Sequence, residues 1–370
     1  LEQGVISATL PGFASFPETN YGGNDALSST GTLRFVKILH AGQRRSSLFL
    51  GGVGSGTTVN HVEVFASAST YDAAVRISGG TVYPRYLSVH RAISGDLVIL
   101  TNNWQGIGQF WLLLAADDGA EGIARGVTVR GAQNNTAYYD AATIRPQLYN
   151  LTVLGPESNT NFQAIDLGDR SSTQGGLRLQ NSVFYNFSTA INADFLPGTG
   201  YDVNLEGNFF WRLAGEPSID EIISAADPVT ENSLKYRLEL GDNRLADPRL
   251  IQPQRSTPPL DLRAPIEGAA GTRTWNYPDD DQVIKASHSG AFCNNGMWTE
   301  GWTSIAQNEL VREARTGTGT LSRPVTQDEL EGQARTGTGT SLQPATQDEL
   351  EGQARTGTGT SLQPVTQNEF

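Results

Sequence analysis

Four short apolar-rich stretches recur between positions 31 and 114: 33–39 (LRFVKIL), 59–65 (VNHVEVF), 85–89 (RYLSV) and 110–114 (FWLLL). The comparable positions Val36, Val62, Leu87 and Trp111 lie 26, 25 and 24 residues apart. Glycine clusters at 51–56, 79–80 and 106–108 separate the stretches. Short strands at a near-constant period, joined by glycine turns, are what a solenoid of stacked coils requires, because each coil buries its apolar face only against its neighbours. The pattern predicts an all-β fold, a right-handed parallel β-helix. Val62, Leu87, Leu112, Leu179 and Leu205 are its expected inward-facing core residues.

The rungs continue at 126–130, 149–154, 176–184 and 203–211, and the last is expected at 237–245. Asn181, Asn208 and Asn243 fall at short polar corners between apolar pairs. Asparagine tolerates left-handed backbone and bonds neighbouring amides, so these residues are expected to stack as a structural ladder. Prolines then multiply at 248, 253, 258, 259, 265 and 278, which predicts an irregular wrap over the solenoid's end. Aromatic residues between 290 and 302 are expected to close the core. The organisation is therefore an N-terminal arm or cap over 1–30, a β-helix over 31–245, a Pro-rich wrap and aromatic closing cap over 246–303, and a tail over 304–370. A bare solenoid end exposes unpaired strand edges, which is why a cap is expected at 1–30.

A net charge of -13 and a pI near 4.8 argue against nucleic acid as a partner, since no basic stripe is present to neutralise phosphates. Cys293 is the only cysteine, so stability must come from burial and stacking rather than from an internal disulfide. No run approaches the roughly 18 apolar residues of a membrane span. The sequence starts at Leu1 and its only methionine is Met297, which suggests a mature form whose leader has been removed. A secreted protein, extracellular or on the cell surface, is the natural expectation.

Chemistry is sparse. His40, His61, His90 and His288 lack metal-ligand spacing and are expected at the surface. Asp117 and Asp118, like Asp279, Asp280 and Asp281, are carboxylate clusters of the sort calcium binds, but solvated turns explain them as well. A polysaccharide lyase needs a base near clustered acids in a groove, and nothing in the spacing of Asp96, Arg91 and Arg85 demands that role. Trp104, Trp111 and Trp211 are expected as core rungs rather than sugar platforms. Nucleophile elbow, P-loop and dinucleotide fingerprint are absent. The sequence assigns no catalytic, cofactor-binding or metal-binding residue, and the chain is not expected to be an enzyme.

The runs 27–38 (LSSTGTLRFVKI), 51–59 (GGVGSGTTV) and 78–82 (SGGTV), with 290–303 (GAFCNNGMWTEGWT), resemble a family of secreted bacterial β-helix proteins usually labelled lipoprotein or hypothetical protein. The likeness covers about residues 20 to 303 and is most specific in the first hundred. It implies a parallel β-helix and export, and no established activity. Where those relatives carry dense acidic clusters, this chain reads STYD at 69–72, SGDL at 94–97 and GIAR at 122–125. The resemblance therefore brings no carboxylate cation site with it.

The tail repeats with a period of 20. One half of the unit alternates threonine and glycine: Thr316, Thr318 and Thr320, then Thr336, Thr338 and Thr340, then Thr356, Thr358 and Thr360. Such a stretch can add as a strand to a sheet edge. The other half ends in one large apolar residue, Leu310, Leu330, Leu350 or Phe370, read here as an assembly anchor. Thr326 and Thr346, each three residues before a glutamate, form capping boxes for short helices. Several weak contacts on one chain multiply through effective concentration. The expected function is thus an extracellular structural subunit that self-assembles into a filament or lattice through its tail. The alternatives are an adhesin or glycan-binding module and, further off, a polysaccharide lyase or hydrolase.

Overall fold

The computed structural model describes residues 8–9 and 20–305, apart from 24, 44, 70–71, 93–94, 102–103, 117–123, 131–145, 158–160, 168–175, 194–202, 256–258 and 273. The chain divides into units 1–319 and 320–370. The second unit lies outside the described residues, and so do all the tail residues named above, since nothing beyond 305 is described.

A small antiparallel pair comes first, β1 (Ala8–Thr9) with β2 (Asn20–Tyr21). The solenoid follows, coil by coil. Its first three coils each hold two strands, one in each sheet: β3 (Thr32–Leu39) and β4 (Leu48–Gly51), β5 (Thr58–Phe65) and β6 (Val75–Ser78), β7 (Arg85–His90) and β8 (Asp96–Thr101). In later coils the first of these strands is split in two. Coil four is β9 (Ile107–Gln109), β10 (Leu112–Leu114) and β11 (Ala124–Val129); coil five is β12 (Gln147–Tyr149), β13 (Thr152–Leu154) and β14 (Phe162–Leu167). Coil six is β15 (Leu177–Gln180), β16 (Val183–Tyr185) and β17 (Thr189–Ala193). Coil seven is β18 (Val203–Glu206), β19 (Phe209–Trp211) and, after the short helix α1 (Ile219–Ile222), β20 (Ile223–Ala225). Every pairing between coils is parallel. They build a first sheet of eleven strands and a second of seven.

The register is the one the spacing demands at Val36, Val62 and Leu87, which pair in turn. Val62, Leu87, Leu179 and Leu205 lie within one continuous core together with Trp104 and Trp111. The two indoles stack at 6.2 Å and donate to the carbonyls of Val82 and Pro84. Gly108 makes room for this pair, since a Cβ there would stand 2.3 Å from the Trp111 ring. Leu112 departs from expectation. It is buried, but in a second cluster with Leu250, Leu262 and Phe292, so it points out of the solenoid and under the C-terminal segment. Trp111 takes the inward position next to it.

The segment 237–245 is also different from expectation. It is not a last strand: most of it belongs to the helix α2 (Pro228–Leu240) and its cap. Asp227 caps the helix through the amides of Val229 and Thr230, and Pro228 takes the first helical position, where its missing N–H costs nothing. Thr230, Leu234 and Leu238 face β18 and β20, so a helix covers the end of both sheets. Local start signals and an i,i+4 apolar pair override the strand-like alternation of 237–240.

The expected ladder forms at Asn208 and Asn243, with Ser182 in place of Asn181 as its next member. Ser182, Asn208 and Asn243 carry it. Asn208 Oδ1 accepts the Ser182 N–H at 3.0 Å and Asn243 Oδ1 accepts the Asn208 N–H at 3.1 Å, with a further side-chain bond of 2.8 Å between the asparagines. Ser182 passes the pattern on by accepting the Leu151 N–H. Asn181 instead occupies the bend itself.

Candidate functional site

The outer face of the first sheet is organised by a column of left-handed residues at the bend of each coil. Phe35, His61, Tyr86, Phe110, Asn150 and Asn181 all have φ between 52° and 58°, and Gly207 completes the column at 66°. Bulky residues rarely adopt this conformation, which costs on the order of 1 kcal/mol each. Here the rings stack: Phe35 on His61 at 4.6 Å, His61 on Tyr86 at 4.5 Å, and Tyr86 on Phe110 at 5.1 Å. Such pairs return about 0.5–1.5 kcal/mol each, which offsets the backbone cost.

The Pro-rich segment does not wrap the solenoid's end. It runs back along this face, from the last coils to the first, past the short helix α3 (Ala269–Thr272). Asn181 exchanges hydrogen bonds with the backbone of Trp275, Gln109 does so with Ile284, and Asn150 donates to the His288 carbonyl. The Arg255 guanidinium donates to the carbonyls of Ala115, Leu154 and Gly155. Trp298 and Trp302 then pack edge-on against His61, Tyr86 and Phe35.

Beneath the end of this strap lies a polar cluster. Glu63, Ser88 and His90 are each 0 % exposed. His90 therefore is not a surface histidine, and neither is His288, which is buried, nor His61, which is half-buried inside the ring column; His40 alone of the four is exposed. Ser88 Oγ stands 2.5 Å from His90 Nε2, and Glu63 Oε1 stands 3.5 Å from the same nitrogen. Nδ1 is left without a hydrogen-bond partner. A nucleophilic relay needs the acid and the hydroxyl on opposite ring nitrogens, so this set cannot activate Ser88. Its work is structural, with Lys37 and Ser304 supplying donors to Glu63. Burial, reinforced by the Arg255 and Lys37 charges, lowers the His90 pKa to about 3, which keeps it neutral.

The second sheet carries the other candidate. Register places Arg125 beside Asp96 and Thr128 beside Asp166. Arg125 Nη1 stands 3.2 Å from Asp96 Oδ1 and its Nε 3.0 Å from Asp166 Oδ2, while Arg130 Nη2 approaches the same Asp166 oxygen at 2.6 Å. Asn192 donates to the remaining Asp166 oxygen at 2.8 Å. Burial raises the Asp96 pKa, and Arg125 acts against that shift. Thr128 Oγ1 and Gln163 Oε1, buried alongside, have no hydrogen-bond partner. The sequence spacing of Asp96, Arg91 and Arg85 demands no shared role, and the fold places them on different elements. Arg85 is on the first sheet, where it donates to the Gln282 carbonyl, and Arg91 sits in the left-handed turn after β7. The true partners come from later coils, 29 and 70 residues downstream of Asp96.

Asp279 pairs with Lys285 at 3.4 Å and Asp280 caps the Gln282 N–H, so this acidic run forms a turn. Asp117 and Asp118, like the assembly anchors and strands of the tail, lie outside the described residues. Among the described residues, no three His, Cys, Asp or Glu side chains converge as metal ligands would, and no helix is long and apolar enough to cross a membrane.

Neither a curated protein nor a solved structure matches the chain. Residues 7–200, the run that holds the first six coils and both candidate faces, match the family described as a pectate-lyase-like β-helix domain. On that match and the parallel coils that bear it out, the chain belongs to the pectate-lyase-like β-helix family.

Proposed function

We propose that the protein is an extracellular structural subunit, a non-catalytic β-helix that self-assembles. The family is compatible with surface or polysaccharide-acting roles. The observation that carries the structural reading is the start of the first sheet: among the described residues β3 pairs with β5 alone, and Leu33, Val36 and Ile38 at this end of the core are half-exposed. A parallel strand left in this way is a template for another chain. The repeats of 304–370 would act as the connector, Leu310, Leu330, Leu350 and Phe370 seating in equivalent positions on neighbouring subunits and the Thr-Gly stretches adding as strands.

Negative-stain microscopy of the full chain beside a 1–313 truncation tests this reading. Ordered particles from the full chain that vanish on truncation support it. Identical particles from both remove the tail from the account, and none from either removes assembly.

A glycan-binding role is the second reading, favoured by the Asp96–Arg125–Asp166–Arg130 cluster with its unpaired Thr128 and Gln163 oxygens. The paired charges cancel, so the ligand would be a neutral polysaccharide whose hydroxyls both donate and accept. Titration calorimetry with neutral cell-surface glycans should then give binding that Arg125→Ala weakens about tenfold or more; no heat with any of them removes this reading.

A further inference from the structure

Six of the ten exposed large apolar side chains among the described residues sit at the two ends of the solenoid. At the start are Leu27 (76 % exposed), Phe35 (55 %) and Leu39 (44 %); at the finish are Val229 (79 %), Tyr236 (62 %) and Leu240 (62 %) on α2. The α2 residues are not scattered. Thr230, Leu234 and Leu238 form the buried stripe, and at 100° per residue Val229, Tyr236 and Leu240 form a second stripe on the opposite side. A surface helix ordinarily keeps that side polar. An apolar stripe there, on a helix already packed through its other face, marks an interaction surface.

Charge separates the two ends. Residues 31–51 contain no acid, and their described cations are Arg34, Arg45 and Lys37, the last approaching the buried Glu63 carboxylate. Residues 214–242 contain seven acids and two cations. Arg34 is exposed on β3, and Glu239 is exposed beside the α2 apolar stripe.

From these complementary ends we infer that the solenoids stack head to tail, the outer stripe of α2 on one copy docking against the first coil of the next. This rests on the self-assembly reading but does not need the tail. The contact is heterologous, using different surfaces on the two copies, so repetition yields an open filament rather than a closed dimer. Opposite charge fixes the polarity, since a head-to-head pairing would juxtapose Arg34 with Arg34. The buried core of each copy then continues across the junction, covering the half-exposed Leu33, Val36 and Ile38.

The test uses the full chain in sedimentation velocity over a concentration series. Leu27→Glu with Leu39→Glu blocks the first end, and Tyr236→Glu with Leu240→Glu blocks the other. Each blocked protein should fail to grow alone, whereas an equimolar mixture should give dimers and nothing larger, because each retains one complementary end. Arg34→Glu and Glu239→Arg, both at exposed positions, repeat the test should a doubly substituted protein not fold. Each should raise the concentration needed for growth about tenfold or more, and mixing the two should restore the heterologous contact between the reversed charges. Wild-type growth that persists with both ends blocked overturns the stacking inference while leaving self-assembly through the tail intact. A wild-type protein that stays monomeric at every concentration overturns both.

Discussion

Ser304 bonds both carboxylate oxygens of Glu63, its N–H at 2.7 Å and its hydroxyl at 3.0 Å, across a separation of 241 residues. The contact is fully buried and pins the end of the strap to the second coil, directly beside the aromatic column. Lys37 approaches the same carboxylate at 3.6 Å, so the buried charge is compensated. Removing it with Glu63→Ala leaves the Ser304 donors and the Lys37 ammonium without their acceptor. A loss of about 3–5 kcal/mol in denaturant unfolding is expected, with Glu63→Gln costing less.

The core and the strap respond differently to truncation. Leu87→Ala opens a cavity inside the solenoid and should cost about 2–5 kcal/mol. Leu112→Ala should cost a similar amount but loosen the strap, read as faster amide exchange in 250–264 and 291–305 with the coils still protected. Equal exchange changes in core and strap would place Leu112 inside after all.

The stacked polar corner predicts a third outcome. Asn208 bonds both coils that flank it, through the Ser182 N–H, the Leu179 carbonyl and Asn243. Asn208→Ala leaves buried backbone groups unsatisfied, and a destabilisation of about 1–3 kcal/mol is expected from thermal or chemical unfolding. Asn208→Asp, which turns a carboxylate oxygen toward the Leu179 carbonyl and Asn243 Oδ1 in a buried site, should cost at least as much as alanine.

Acid should open the strap. The folded-state pKa of His90 is depressed from 6.5 to about 3, so the neutral form stabilises the fold. For a depressed histidine the contribution is fully present above 6.5, the unfolded value, and is lost as pH falls toward 3, because the unfolded chain takes up the proton first. Unfolding measured across that window should show stability dropping by several kcal/mol in the wild type. His90→Asn should flatten the slope, and an unchanged slope would show that His90 is not the titrating group.

Much of the fold is legible in the sequence because the first sheet repeats a strong alternation at a fixed period. Val36, Val62, Leu87 and Trp111 show it directly. The second sheet is less visible, since outward positions such as Ile99 are not reliably polar and strands like β17 (TAINA) carry only one large apolar side chain, Ile191. The aromatic column could not be foreseen, because no sequence signal marks Phe35 or Tyr86 as left-handed; only the neighbouring rings make that conformation tolerable. The strap's direction was hidden for a similar reason. Its prolines announce irregular backbone but not where it docks, which Arg255, Asn150 and Asn181 decide through contacts about 94 to 140 residues away in sequence. The charged cluster on the second sheet forms only when coils stack, so Asp96 and Asp166 meet around Arg125 although nothing near any of them in sequence says so.

The most direct measurement of the central claim is sedimentation velocity of the wild-type full chain over a hundredfold concentration range near neutral pH. A weight-average sedimentation coefficient that climbs continuously with concentration, with species larger than a dimer at the upper end, is the predicted result. A single monomeric boundary throughout would contradict self-assembly and leave the proposed glycan-binding role of the second sheet as the better account of this β-helix.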